Sequence, residues 1–206
     1  MDVTHTPELF VYREERNARA LRRAVDLAIV LTLMPVVLPL LALASAAIYA
    51  EDGGPVVFRQ RRVGRYERLF TMFKLRTMYR DQCGDRQKPI DGRDPRITRA
   101  GALLRKLSID ELPQLFNVLR GDMTLVGPRP EMPFLVRRYK KWQHMRHFVT
   151  PGLTCIWQTE CRSTVPLERP EATNLDLLYI RTKSPIGDAQ LLTKTFFSLV
   201  STKGAV

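Results

Sequence analysis

Residues 108–117 read Ser108-Ile109-Asp110-Glu111-Leu112-Pro113-Gln114-Leu115-Phe116-Asn117. Ser108 with Glu111 three residues later is a capping-box pattern, and Pro113 fits only the first turn of a helix. The pattern predicts a loop that leads into a short helix, which begins near Ser108 or Asp110 and ends at Gly121. Four apolar side chains share one face of this helix and are expected in the core: Leu112, Leu115, Phe116 and Leu119.

Asp110 and Glu111 lie at the mouth of this predicted helix. The positive end of a helix dipole favours ionised carboxylates and attracts phosphate or a metal–phosphate complex. Helix capping alone is the commoner explanation of acids in a first turn. The neighbouring sequence favours a chemical role, because a long basic segment precedes the acids and the rigid turn Gly127-Pro128-Arg129-Pro130 follows them.

The composition indicates one domain with an anionic partner. The chain has 206 residues and a net charge of +12, which suits nucleic acid, an anionic membrane surface or phosphorylated substrates. Cys83, Cys155 and Cys161 are odd in number and lack zinc-ligand spacing, so we interpret them as free thiols in a reducing compartment.

The run from Leu27 to Ala50 carries no charge and, as a straight helix, would extend roughly 36 Å. That length could cross a hydrocarbon core of about 30 Å. Pro35 and Pro39 interrupt its middle and bend it on one side. Five arginines lie within residues 13–23 and five more within residues 59–68, which places both flanks in the cytoplasm. We therefore favour a re-entrant membrane helix over a kinked transmembrane helix.

The remaining sequence predicts an α/β fold, mostly helical with a small mixed sheet. Strands are predicted at 56–58 and 69–78, joined by a turn over 59–64. Helices are predicted over 99–106, 133–149, 171–182 and 186–200. The helix over 133–149 combines tryptophan and tyrosine with many basic residues. It could lie on an anionic membrane surface, or pack on the core with a solvated basic face.

Two side-chain groups could carry chemistry. His144 and His147 are three residues apart, but no third histidine or acid stands at a diagnostic spacing, so a structural or interfacial role is favoured over a metal site. The two acids Asp110 and Glu111 suit phosphoryl transfer, since one carboxylate can hold Mg²⁺ and another can attack phosphorus. Four cations are candidates to surround them and bind phosphate: Lys74, Arg76, Arg105 and Arg129.

Residues 107–130 closely resemble the signature of bacterial sugar transferases, the monotopic phosphoglycosyl transferases that start capsule, O-antigen and exopolysaccharide assembly. Residues 73–78, 94–99 and 146–152 also fit this family. The resemblance begins near residue 20 and implies the minimal catalytic form of the family.

The resemblance implies a two-step mechanism. Asp110 attacks the β-phosphorus of a UDP-sugar and expels UMP, and a polyprenol (undecaprenyl) phosphate then collects the sugar phosphate. Glu111 binds Mg²⁺, while Arg105 and Arg129 bind phosphate. The sugar is not inferred.

The resemblance also implies an inner-membrane protein with three segments. These are a basic N-terminal segment (1–23), a re-entrant membrane helix (24–50) and a cytoplasmic catalytic domain with membrane-surface helices (51–206). Asp26 matches a family position at the membrane entrance, whereas the family's helix-breaking Ser-Pro pair is Leu38-Pro39 here. Anionic phospholipid is an expected partner, nucleic acid is not, and a homodimer is kept as one candidate assembly.

One segment departs from the family pattern, because Cys155 and Cys161 replace two glycines and Thr182-Lys183-Ser184 replaces Asn-Trp-Ser. A side chain would interfere where glycine allows positive φ or a close backbone approach. Two rival interpretations stay open. One is a catalytically impaired relative that binds lipid or partners, and the other, ranked lower, is a membrane-anchored protein that binds nucleic acid.

Overall fold

A computed structural model describes residues 16–82, 94–160 and 169–200. Within these ranges the chain is mostly helical with two small β-pairs, which confirms the α/β prediction, although the strands do not join into one sheet. The helices are α1 Arg16–Asp52, α2 Arg99–Lys106, α3 Gln114–Arg120, α4 Pro133–Val136, α5 Ile156–Glu160, α6 Pro170–Thr182 and α7 Pro185–Val200. The strands are β1 Val57–Val63, β2 Leu69–Leu75, β3 Thr124–Val126 and β4 Gly152–Thr154.

Helix α1 continues without interruption through Pro35 and Pro39. Among the described helices it alone is long and apolar enough to cross a membrane. One stripe of α1 is buried on the rest of the fold and consists of Val30, Val37, Leu41, Ala44 and Ile48. Much of the remaining surface is apolar but exposed, as at Leu43, and such a patch is typical of a lipid-facing surface.

Both ends of α1 are bonded to the domain. Near the N-terminal end, the Thr124 hydroxyl donates to Asp26 Oδ2 at 2.6 Å. At the other end, the backbone N–H groups of Arg99 and Ala100 donate to the two carboxylate oxygens of Glu51, at 2.7 and 2.8 Å. Glu51 therefore satisfies backbone donors at the start of α2.

Strands β1 and β2 form an antiparallel hairpin in which Val57 pairs with Leu75 and Val63 with Leu69. The prediction of a turn over residues 59–64 was wrong. Most of these residues are polar, so they lack the apolar alternation that marks a half-buried strand. The actual turn is the 3-10 segment Arg65–Glu67, which includes positive φ angles of 51° and 60° at Tyr66 and Glu67.

The single helix predicted over residues 133–149 was also wrong. The structure forms the short helix α4 and then a 3-10 helix, Lys141–Phe148. Arg146, one of the basic residues predicted to face either an anionic membrane or solvent, is 1% exposed and lies beside Asp176 of α6. Asp176 lies 30 residues after Arg146 in the sequence, so the residues around Arg146 do not indicate this contact.

The core confirms the face predicted for α3. Leu115 is buried, and the other three predicted residues are partly buried and pack against the core. Val118, which was not predicted, is fully buried. Gly121 ends the helix at a φ of 85°, as expected for a left-handed C-terminal glycine. The predicted helices 99–106, 171–182 and 186–200 correspond to α2, α6 and α7 within one residue at each boundary.

Candidate active site

Three elements meet at the carboxylate of Glu111. Glu111 ends a 3-10 turn, Ile109–Glu111, shortly before α3. Strand β2 supplies Lys74, whose Nζ lies 2.9 Å from Glu111 Oε1, and the turn after β3 supplies Arg129, whose Nη2 lies 2.7 Å from the same oxygen. The structure therefore places two of the four predicted cations, Lys74 and Arg129, on Glu111.

The capping box predicted for this stretch does not form. Ser108 has a left-handed backbone with a φ of 54°, and in the described structure its side chain caps no helix. The Glu111 side chain bonds Lys74 and Arg129 instead of the backbone, because two cations outweigh one neutral donor. Ser108 and Glu111 have the same spacing whether Glu111 forms a capping box or binds two cations. The sequence alone therefore could not distinguish these two arrangements.

The two acids differ in their acidity. Burial by itself would raise the pKa of Glu111, but Arg129 and Lys74 outweigh it and hold that pKa well below its usual value. Burial raises the pKa of Asp110, opposed by Lys74 and reinforced by the negative charge of Glu111. Glu111 is thus a fixed anion, whereas the protonation of Asp110 responds to its surroundings.

Arg105 approaches the same site from the last turn of α2. Its Nε donates to the Thr77 hydroxyl at 2.8 Å, and its charge lowers the pKa of Asp110. Helix α2 packs closely on this part of the chain, since a Cβ atom added at Gly101 would lie 2.1 Å from the Thr77 carbonyl oxygen. The predicted phosphate-binding Arg105 is therefore fixed by a hydroxyl and by close backbone packing.

Arg76 follows β2, and its described contacts are with the C-terminal end of α1. Its guanidinium donates from Nη2 to the Gly53 carbonyl oxygen at 2.6 Å and lies 3.2 Å from Asp52 Oδ2. These contacts join β2 to the end of the apolar helix. Substrate binding by Arg76 stays a prediction that the described contacts do not support.

Two buried arginines, neither of them predicted as a site residue, bind the backbone of the Gly-Pro-Arg-Pro turn. Arg62 donates from Nη1 to the Pro130 carbonyl oxygen at 3.1 Å, and Arg146 donates from Nη2 to the Arg129 carbonyl oxygen at 2.9 Å. The turn also packs against the start of β4, where the Gly152 N–H donates to the Pro128 carbonyl oxygen. Arg146 begins the family-like segment 146–152, but neither arginine could be assigned this role from the sequence, because their acceptors are distant carbonyl groups.

Cys155, which replaces a family glycine, fits this structure without backbone strain. Positive φ angles occur at Tyr66, Glu67 and Ser108 among the described non-glycine residues, and not at Cys155. Its side chain is buried with Trp157 and Ala172. The expected interference is therefore absent at this position, while Cys83 and Cys161 lie outside the described residues.

The donor atoms near Glu111 fit a hard divalent cation. Lys74 and Arg129 both bond the same oxygen, Glu111 Oε1. Glu111 and the adjacent Asp110 thus offer carboxylate oxygens, which Mg²⁺ prefers when substrate phosphates complete its coordination.

Comparisons with known proteins identify the family of this chain. The sequence model of the family described as bacterial sugar transferase matches residues 17–202. The chain belongs to this family.

Three relatives illustrate the similarity. An undecaprenyl-phosphate glucose phosphotransferase of Komagataeibacter xylinus is 41% identical over 84% of this chain and 35% of its own length. A UDP-glucose:undecaprenyl-phosphate glucose-1-phosphate transferase of Caulobacter vibrioides is 39% identical over 89% of this chain and 71% of its own length. An undecaprenyl-phosphate galactose phosphotransferase of Salmonella typhimurium is 32% identical over 93% of this chain and 43% of its own length. The chain thus spans about a third to seven tenths of these relatives.

Proposed function

We propose that this chain transfers a sugar 1-phosphate from a UDP-sugar to undecaprenyl phosphate, a polyprenol phosphate. The names of the three relatives support this acceptor, and they include both glucose and galactose as the sugar. The observation that carries the proposal is the pair of cations on Glu111 beside the adjacent Asp110. Acids and fixed cations in one place suit the handling of a diphosphate.

In the first step, a carboxylate oxygen of Asp110 attacks the β-phosphorus of the UDP-sugar. The bond from that phosphorus to the bridging oxygen breaks, UMP leaves, and the sugar phosphate stays on Asp110 as an acyl phosphate. The positive charges of Lys74, Arg105 and Arg129 oppose the effect of burial and favour the ionised nucleophile. Arg105 and Arg129 bind phosphate oxygens of the donor.

In the second step, an oxygen of undecaprenyl phosphate attacks the same phosphorus. The acyl–phosphate bond breaks and Asp110 returns to its carboxylate form. The attacking phosphate oxygen is already anionic, so this step needs no general base. Glu111 would hold Mg²⁺, which supplies positive charge to the phosphate oxygens when bound.

The membrane arrangement that we propose is a re-entrant α1 in the inner membrane, with the catalytic domain on the cytoplasmic face. Asp26 and Glu51, near opposite ends of α1, both bond the same polar domain. A helix that entered and left one leaflet would meet this requirement, whereas a spanning helix would separate its ends by the hydrocarbon core. The exposed Phe196 and Phe197 of α7 suit a helix that lies on the bilayer surface.

The topology can be tested in a variant in which serine replaces the three native cysteines and Gly54→Cys introduces the only cysteine. A re-entrant helix predicts that an impermeant maleimide labels this cysteine only after the cells are permeabilised. Labelling of intact spheroplasts from outside would contradict it and favour the kinked transmembrane helix.

The chemistry can be tested by intact-mass measurement after incubation with Mg²⁺ and a panel of UDP-sugars, without lipid. A sugar-phosphate adduct is expected on the native chain and on the control Asp81→Asn, which changes an exposed acid of another turn. No adduct is expected on Asp110→Asn. Folded native protein that neither forms an adduct nor releases UMP in the presence of polyprenol phosphate would favour the catalytically impaired relative.

A further inference from the structure

Three potential metal ligands converge on the side of the domain that carries the β1–β2 turn. Glu67 belongs to this turn, and His144 and His147 belong to the 3-10 helix Lys141–Phe148. The Nδ1 atom of His144 lies 2.6 Å from Glu67 Oε1, and the Nδ1 atom of His147 lies 3.7 Å from the same oxygen. The ligand atoms of all three residues lie within 4.8 Å of one another.

The backbone explains why the two imidazoles meet. A 3-10 helix has three residues per turn, so side chains at positions i and i+3 lie directly above one another. In an α-helix, with 3.6 residues per turn, the same pair would be offset around the axis by about 60°. The 3-10 geometry of Lys141–Phe148 thus places His144 and His147 on one line, facing Glu67.

His147 provides an independent sign that a ligand is needed. Its side chain is 6% exposed, and among the described residues neither ring nitrogen has a hydrogen-bond partner. A buried imidazole without a partner is costly, and coordination of a metal ion by one nitrogen would relieve part of that cost.

We propose that Glu67, His144 and His147 form a binding site for a divalent transition-metal ion of the zinc class. Two imidazole nitrogens and one carboxylate oxygen are a donor set that zinc accepts, while magnesium prefers oxygen donors throughout. Zinc bonds of 2.0–2.2 Å in a tetrahedron separate neighbouring donors by about 3.3 Å. The observed separations of 2.6 and 3.7 Å lie on either side of that value, so small side-chain movements suffice.

The site is open to the ion and separate from the Asp110–Glu111 pair. Glu67 is 51% exposed and His144 is 36% exposed, which leaves an entry path and room for water as a fourth ligand. Arg146 lies between the two histidines in the same 3-10 helix and donates to the Arg129 carbonyl oxygen. A bound ion would join the β1–β2 turn to this helix and thereby steady the segment that supports Arg129.

Cobalt titration of the untagged, chelator-treated chain tests the proposal, with Cys83 and Cys161 replaced by serine to remove thiolate ligands. Co²⁺ is the probe because its visible absorption reports tetrahedral coordination, and Zn²⁺ should displace it. We expect one saturable site in the parent chain and in the control Glu171→Gln, which removes an exposed carboxylate from α6. In Glu67→Gln and in His144→Gln we expect at least tenfold weaker binding.

A thermal measurement supplies the second readout. Zn²⁺ should raise the melting temperature of the parent chain and of Glu171→Gln, but not that of the two site variants. Because Glu67 and His144 are partly exposed, both site variants should fold without metal. Equal cobalt affinity in the parent and the site variants, or no saturable binding by the parent at micromolar metal, would overturn the proposal.

Discussion

The guanidinium of Arg146 donates a hydrogen bond from Nη2 to the carbonyl oxygen of Arg129, 2.9 Å away. The same nitrogen lies 2.6 Å from Asp176 Oδ2, so the two side chains form a buried ion pair. A buried basic residue thus supports the backbone of the arginine that contacts Glu111. Arg146 thus takes part both in a buried ion pair with Asp176 and in the hydrogen bond that holds the backbone of Arg129.

Arg146→Met should destabilise the protein by about 3–5 kcal/mol, because it leaves Asp176 buried without its counterion. The double variant Arg146→Met with Asp176→Leu should regain much of that loss, since an apolar pair can replace a buried ion pair. Thermal or chemical unfolding in detergent measures the stability of the single and the double variant. A double variant no more stable than the single variant would show that the hydrogen bonds of Arg146, rather than its charge pair, dominate.

The stability loss in Arg146→Met should grow with pH. Burial raises the pKa of Asp176 to about 6 in the folded protein, opposed by Arg146. The folded state therefore binds this proton more tightly than the unfolded state, and stability falls as pH rises from the ordinary carboxyl range through 6. Without Arg146 the folded-state pKa moves higher, so the variant should differ more from the native chain at pH 8 than at pH 5.

Lys74→Met should move the acid limb of the activity profile to higher pH. Asp110 acts as an ionised nucleophile, so the rate falls as pH drops below its pKa. Burial already raises the pKa of Asp110, and Lys74 opposes that effect. Removing the cation therefore raises this pKa further. UMP release measured across pH checks the shift, and Lys106→Met, at an exposed cation in the last turn of α2, should leave the limb in place.

Gly101→Ala should destabilise the protein by about 1–3 kcal/mol and lower its activity. The added methyl group would lie 2.1 Å from the Thr77 carbonyl oxygen, so α2 must move. Movement of α2 would also disturb the bond between Arg105 and the Thr77 hydroxyl. Ala102→Gly, at an exposed position of the same helix, is the matched control and should cost only about 1 kcal/mol without loss of activity per folded molecule.

Cys155 should resist alkylation in the folded protein. Its thiol is buried, and burial raises its pKa to about 12, so almost no thiolate is present at pH 8. In a chain with Cys83 and Cys161 replaced by serine, iodoacetamide should modify Cys155 only after unfolding, which mass spectrometry detects. Modification of the native fold at the rate of a free thiol would contradict the buried placement.

The parts of this fold that the sequence predicted correctly are those with local signals. Gly121 ends α3, and the apolar face of that helix packs into the core, because spacing and glycine chemistry are visible within a few residues. Asp110, Glu111 and the turn that carries Arg129 could be chosen as candidate site residues because their motifs are also visible within a few residues. Each of these predictions depends on neighbours in the chain.

The parts that the sequence could not predict depend on distant partners. In the sequence, Arg62 looks like a residue of a polar turn, because its acceptor at Pro130 is distant. Arg146 looks like an exposed basic residue, because its partner Asp176 is also distant. His144 and His147 lacked a third ligand in the sequence because Glu67 precedes them by 77 and 80 residues. Burial and long-range pairing decide these roles, and neither is a property of a short segment.

Glu51 and Asp26 fix the length of the chain between them. Each residue added to an α-helix advances it by about 1.5 Å and turns it by about 100°. One inserted residue would separate Glu51 from the start of α2 or Asp26 from Thr124, and would rotate the buried stripe of α1 away from the domain. Random insertion followed by selection should therefore leave residues 26–51 free of insertions, although most of this segment contacts no catalytic group.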